Sequence, residues 1–181
     1  MFRKTTGDQL AKLAGMVGEM RGRHDEASGL RGDLAAIQAR WTDLEVPPLL
    51  KSSAAYVEKM HAVPFDEYRA RLRRLTAGGA GALDAGSRTA TWSLPMAELF
   101  DRVIAVDKNR ARVDLARWLV QSFAIDNIEV AHGDITNLDL PPASVDFVFC
   151  YGVVISALPL RAVLREFQRV TRPGGEIYVC L

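Results

Sequence analysis

Ala82-Leu-Asp-Ala-Gly-Ser-Arg-Thr-Ala-Thr-Trp-Ser-Leu-Pro-Met-Ala-Glu-Leu-Phe-Asp-Arg-Val-Ile-Ala-Val-Asp107 is the stretch on which the fold turns. It opens with a short apolar run that stops at Asp84, passes through a turn at Gly86, and takes helical spacing over residues 94–99. A second apolar run then ends on another acid, Asp107. Strand, turn, helix, strand is one crossover unit, and the chain downstream repeats it. A helix is expected over residues 110–123 and a strand at Ile128-Glu-Val-Ala131. A further strand is expected at Val145-Asp-Phe-Val-Phe-Cys150, a helix over residues 161–170, and a last strand at Glu176-Ile-Tyr-Val-Cys-Leu181. Such alternation implies right-handed crossovers and an α/β, doubly wound, mostly parallel sheet with helices on both faces.

Upstream of this stretch the period is helical. Leu10, Leu13, Val17 and Met20 share one face, as do Leu34, Ile37, Trp41 and Leu44. The change of face between the sets, with Gly22, Gly29 and Gly32 between them, argues for two helices around a polar break at residues 21–33; one continuous coiled coil is the alternative. Pro47-Pro48 ends that region. Helices over residues 53–63 and 65–75 follow, and Thr76-Ala-Gly-Gly-Ala-Gly81 supplies a helix stop and a linker. The expected organisation is a helical region at 1–46, a helical linker or lid at 47–79, and the α/β domain at 80–181. Arg69, Arg71, Arg73 and Arg74 make the 65–75 helix basic. This is either a solvated face or an anion-facing lid over a substrate pocket.

Composition excludes several functions. Of the 181 residues 49% are hydrophobic and 25% charged, and a net charge of +1 gives no long-range field toward nucleic acid or an anionic membrane. No apolar run approaches the ~20 residues that span a bilayer. The first residues lack the apolar run of a secretory signal. Cys150 and Cys180 sit in apolar runs, which fits free thiols in a reducing, cytoplasmic location. His24, His61 and His132 show no metal-ligand spacing with the cysteines, so no metal site is expected.

In a doubly wound sheet ligands lie beyond the carboxyl ends of the strands. The informative residues are therefore Asp84-Ala-Gly86 after the first strand, Asp107 after the second, Gly133-Asp134-Ile135 after the third and Tyr151-Gly152 after the fourth. An acid ending the second strand, about twenty residues past a glycine turn, accepts hydrogen bonds from the hydroxyls of an adenosine ribose. Nicotinamide-dependent enzymes share that feature.

Taken together, Leu83-Asp-Ala-Gly86, Val106-Asp107, Gly133-Asp134, Val145-Asp-Phe-Val148 and Arg172-Pro-Gly-Gly175 resemble, in order and spacing, the successive motifs of class I S-adenosylmethionine-dependent methyltransferases. Trp92-Ser-Leu-Pro with Ala97-Glu-Leu is similar to the first helix of small-molecule members. The resemblance covers roughly the last hundred residues and implies a Rossmann-like domain with S-adenosyl-L-methionine as cofactor. It implies Asp84 and Gly86 at the cofactor's methionine end and Asp107 at the ribose. Asp134 would meet the adenine amino group, Ile135 the ring face, and Tyr151 the mouth between cofactor and acceptor. The structural alternatives are turn-capping for Asp84 and Asp146 and sheet-end packing for Tyr151. The resemblance names no general base.

Two departures bear on function. The family's turn carries two further glycines where this chain has Arg88 and Ala90. A left-handed conformation at a non-glycine costs ~1–2 kcal/mol. Arg88 either obstructs the pocket or pairs with the cofactor's carboxylate. The family's sheet also continues past the segment that ends at Leu181. The expectation is either a fragment, or a second copy or partner chain covering the fifth strand and the N-terminal helices. Three functions follow: methyl transfer to a small molecule or glycan, a degenerate methyltransferase fold retained as a binding or assembly module, and a nicotinamide-dependent enzyme.

Overall fold

Apolar residues that run without alternation need both faces of a strand covered, and this chain meets that need with helices above and below one sheet. The computed structural model describes residues 65–153 and 159–180. The helices expected before residue 65, and Leu181, lie outside the described residues. In chain order the elements are α1 (Phe65–Leu75), β1 (Gly79–Ala85), α2 (Ser93–Met96), β2 (Phe100–Asp107), α3 (Arg110–Ser122), β3 (Ile128–His132), β4 (Val145–Tyr151), α4 (Leu160–Val170) and β5 (Thr171–Cys180). The five strands pair in parallel in the order β3-β2-β1-β4-β5. The order reverses between β1 and β4, which makes their carboxyl ends the place to look for a ligand. Among the described residues no helix is long and apolar enough to cross a membrane.

Period-2 alternation sorts the core into two halves. Phe147 and Phe149 of β4 face Tyr68 and Leu72 of α1, Trp92, Met96 of α2, and Leu115 and Leu119 of α3. Val148 and Cys150 face the other way, toward Leu83, Ile104 and Val106 and toward Val163, Phe167 and Val170 of α4. Burial pushes the Cys150 thiol up to about 12, with the Asp84 charge adding to the effect. Helix α1 takes the predicted bounds and is part of the first core half. Its Arg69 donates from Nε (2.6 Å) and Nη2 (2.7 Å) to the two oxygens of Glu98.

Three expectations need correction. The stretch read as a linker up to Gly81 is partly strand, because β1 begins at Gly79. A Cβ at Gly79 would lie 2.9 Å from Asp146 Oδ2, and the Gly81 amide donates to that same oxygen at 2.8 Å. The helix expected over residues 94–99 is a single turn, Ser93–Met96, and β2 starts already at Phe100. The last strand begins at Thr171 rather than Glu176. Val145 pairs with Thr171 and Phe147 with Glu176, so residues 172–175 bulge opposite Asp146 alone. Gly175 permits the close approach, since a Cβ there would lie 2.6 Å from the Asp146 carbonyl oxygen. Arg172 Nη1 reaches Asp146 Oδ1 at 2.8 Å. β5 is the outermost strand among the described residues, with Ile177 exposed on it.

Asp146 thus does more than cap a turn: it ties the start of β1 to the bulge of β5. Asp146→Ala should lower stability by about 1–3 kcal/mol in urea unfolding, the range for freeing a partly buried amide and losing an ion pair. Adding Arg172→Ala to that variant should cost little more. Additive losses would show that the two residues act separately.

Candidate functional site

Gly86 directly follows β1 with φ +78°, and the amides of Gly86 and Ser87 both donate to the Val106 carbonyl, at 2.8 and 2.9 Å. The turn therefore folds back over the end of β2. A Cβ at Gly86 would stand 2.5 Å from the Val153 side chain, so the connections after β1 and β4 pack against each other there. Arg88 and Ala90 take φ values of +55° and +62°. The left-handed path expected of glycines at these positions is kept without them, and Ala90 N still closes the turn on Ser87 O at 2.9 Å.

The turn delivers the Arg88 amide to Asp107 Oδ2 at 3.0 Å. The Asn109 amide donates to Oδ1 at 2.8 Å. Asn109 also caps α3, its side-chain oxygen accepting from Arg112 N at 3.2 Å. Asp107 is thus a buried carboxylate fixed by two amides at the amino end of a helix, where the helix dipole favours negative charge. Arg112 Nη1 stands 3.9 Å from Oδ2.

Around this carboxylate opens a cleft of about 370 Å³, walled by Gly86, Arg88 and Asp107 and by Gly133, Asp134 and Ile135 from the end of β3. That volume suits a small organic ligand. Lys108, Arg112, Thr136, Gly152 and Val153 complete it. Asp134 Oδ1 accepts from the amide and the hydroxyl of Thr136, each at 2.8 Å, and these bonds hold its carboxyl below the usual range. Ile135 is buried in the second core half while lining the cleft. Arg88 crosses the mouth, its Nη2 donating to the Gly152 carbonyl at 3.3 Å.

Five residues singled out from sequence, Gly86, Arg88, Asp107, Asp134 and Ile135, are thus brought together, while Asp84 and Tyr151 do not line the cleft. Asp84 is buried and accepts from Ser93 Oγ at 2.6 Å. Burial pushes its carboxyl up to about 7, opposed by the Ser93 bond and aided by the Asp107 charge. Tyr151 packs in an aromatic cluster with Trp92 and Phe149. Lys108 and Arg112 were not anticipated. Their signal was available, since residues just past the second strand of such a sheet face its ligand.

A family model described as "Methyltransferase domain" matches residues 82–175, more than half of the chain. The malonyl-[acyl-carrier protein] O-methyltransferase of Yersinia pestis is 42% identical over 99 residues, which are 55% of this chain and 35% of that protein. The demethylmenaquinone methyltransferase of Geobacillus stearothermophilus is 33% identical over 107 residues, 57% of this chain and 45% of that protein. The chain therefore spans less than half the length of these two relatives. In fold, it superposes on a SAM-dependent methyltransferase from Aquifex aeolicus with a TM-score of 0.54 at 23% identity, over 59% of this chain and 58% of that one.

The raised carboxyl of Asp84 has a signed consequence for stability. Below 3.8 the group is neutral in both folded and unfolded chains; between 3.8 and about 7 only the unfolded chain gives up its proton, so stability falls as pH rises. Asp84→Asn removes that cost. In urea unfolding the variant should gain stability over the parent at about pH 8, and the gain should shrink toward about pH 5. A loss of stability at both values would show that the ionised carboxylate is held favourably.

Proposed function

Because this chain belongs to the class I S-adenosylmethionine-dependent methyltransferase family, we propose that its cleft holds S-adenosyl-L-methionine and that the protein transfers the cofactor's methyl group to a small molecule. The observation that carries this reading is the Asp107 carboxylate. Each oxygen takes one amide, which leaves acceptor capacity on both for a pair of ribose hydroxyls. That donor set fits the nucleoside of the cofactor. In this reading Asp134 and Ile135 meet the adenine, and Gly86 and Arg88 lie toward the methionine end. Asp84, buried and bonded to Ser93, does not line the cleft and has no direct part in this reading.

When bound, S-adenosylmethionine supplies a methyl carbon on an electrophilic sulfonium, which an acceptor takes by in-line displacement. The protein's part is to fix the two reactants and exclude water, so no general base is required of it. The relatives' names, malonyl-[acyl-carrier protein] and demethylmenaquinone, favour a small-molecule group over a glycan as acceptor.

One observation favours a second reading, a binding module without catalysis. Arg88 and Ala90 hold left-handed backbone where glycine is the easy choice, and the Arg88 side chain occupies part of the cleft wall. Calorimetric titration separates the two readings. Under the first, S-adenosylmethionine binds saturably to the parent. Asp107→Ala then weakens it roughly ten- to a hundred-fold, the loss expected of a charge-assisted hydrogen bond. No heat at millimolar cofactor with the parent would leave the module reading; equal affinity in the variant would remove Asp107 from the site.

A further inference from the structure

Beside the cleft, at the carboxyl ends of β4 and β5, stands a group of side chains that the cofactor reading does not use. Tyr151 directly precedes Gly152 and Val153 of the cleft wall. Its ring lies 5.4 Å from Trp92 and is stacked 6.1 Å from Phe149, which in turn stacks on Tyr178 at 5.3 Å. The four rings make an aromatic wall. Arg71 of α1 lies over it, with its guanidinium carbon 5.0 Å from the Tyr151 ring centre and 5.9 Å from that of Trp92. Arg71 Nη2 donates to the Tyr178 hydroxyl at 3.2 Å.

The polar chemistry here is one-sided. A guanidinium carries five donors, and its bonds to the hydroxyls of Tyr178 and Tyr151 leave others over. Among the described residues no carboxylate lies within ion-pair distance of Arg71, although Arg69 on the same helix is fully engaged with Glu98. The Trp92 indole N–H is buried and has no hydrogen-bond partner among the described residues. Orphaned buried donors are rare and point to a missing acceptor. Two tyrosine hydroxyls, those of Tyr151 and Tyr178, complete the set; both hold the Arg71 charge in place.

We propose that this cluster is the acceptor subsite and that it selects a carboxylate attached to an apolar or aromatic body, with Arg71 and Tyr178 binding the carboxylate and the rings of Tyr151 and Trp92, backed by the buried Phe149, holding the body. The inference rests on the methyl-transfer reading for calling the ligand an acceptor, but the anion site stands on its own geometry. A planar guanidinium backed by an aromatic face is suited to bidentate carboxylate recognition, which lysine does not reproduce. An amine acceptor is disfavoured because a second cation would meet Arg71 at close range. Of the alternatives left open for the basic helix, this assigns Arg71, and not its neighbours, the anion-facing role.

Phenylacetate, phenylacetamide and phenethylamine share a ring and differ in charge, so they serve as probes. Binding of each to the full chain is measured calorimetrically, with and without S-adenosylhomocysteine. Phenylacetate should bind at least about ten-fold tighter than the amide, the advantage of a charge-assisted contact, and the amine weakest. Arg71→Gln should abolish the preference, Arg71→Lys should keep only part of it, and Tyr178→Phe should reduce it. The exposed position of Arg71 makes its variants expected to melt with the parent; if one fails to fold, the three probes on the parent decide. Equal binding of acid and amide, tighter binding of the amine, or no binding of any probe overturns the proposal. Carboxylate preference without S-adenosylhomocysteine binding upholds the anion site and sinks the methyl-transfer reading. The converse pattern sinks the anion site alone.

Discussion

Both oxygens of Asp107 are bonded to backbone amides that come from different connections, Arg88 after β1 and Asn109 before α3. This one carboxylate therefore joins the ends of two neighbouring strands and the start of a helix. The cleft exists because they are joined. Gly86 and Ser87 reach over to Val106 in the same turn, and Val153 from the fourth strand closes against Gly86. Remove the carboxylate, and two amides and the amino end of α3 lose their anion together. A buried charge satisfied in this way is costly to disturb and leaves little freedom to its surroundings.

That constraint accounts for the least comfortable feature of the chain. Arg88 and Ala90 sit in left-handed backbone, at ~1–2 kcal/mol each. The bond from Arg88 N to Asp107, the closure of Ala90 N on Ser87 O, and the reach of Arg88 to Gly152 O offset that cost. Strain of this kind persists where the surroundings over-determine the backbone and clusters at ligand sites. The substitution of the glycines is thus compatible with an intact turn, and what changes is the wall of the cleft, which gains a guanidinium.

Much of this was legible in the sequence. The apolar runs at 103–107 and 145–150 read as strands because burial on both faces leaves no polar alternation, and Asp107 read as a ligand residue because it ends the second of five parallel strands. The resemblance puts glycines, and with them left-handed backbone, two and four residues past Gly86, and Arg88 and Ala90 keep that backbone. What escaped was non-local. Gly79 and Gly81 look like linker until Asp146, 65 residues beyond Gly81, is laid across them. The early start of β5 depends on the same side chain meeting Arg172. The arginines of α1 looked alike along the chain; only docking of Tyr68 and Leu72 into the core sends Arg69 to Glu98 and Arg71 over the aromatic wall. Lys108 and Arg112 were legible only through their place just past Asp107 at the end of the second strand.

The turn is a preformed feature, built by Asp107 in the absence of any ligand. Hydrogen exchange at single-residue resolution, read by NMR on the cofactor-free protein, addresses that claim directly. The amides of Arg88 and Asn109 should exchange as slowly as those of β1 and β2, and Arg88 should become fast in the Asp107→Ala protein. Rapid exchange of the Arg88 amide in the parent, at the rate of an exposed loop, would contradict it.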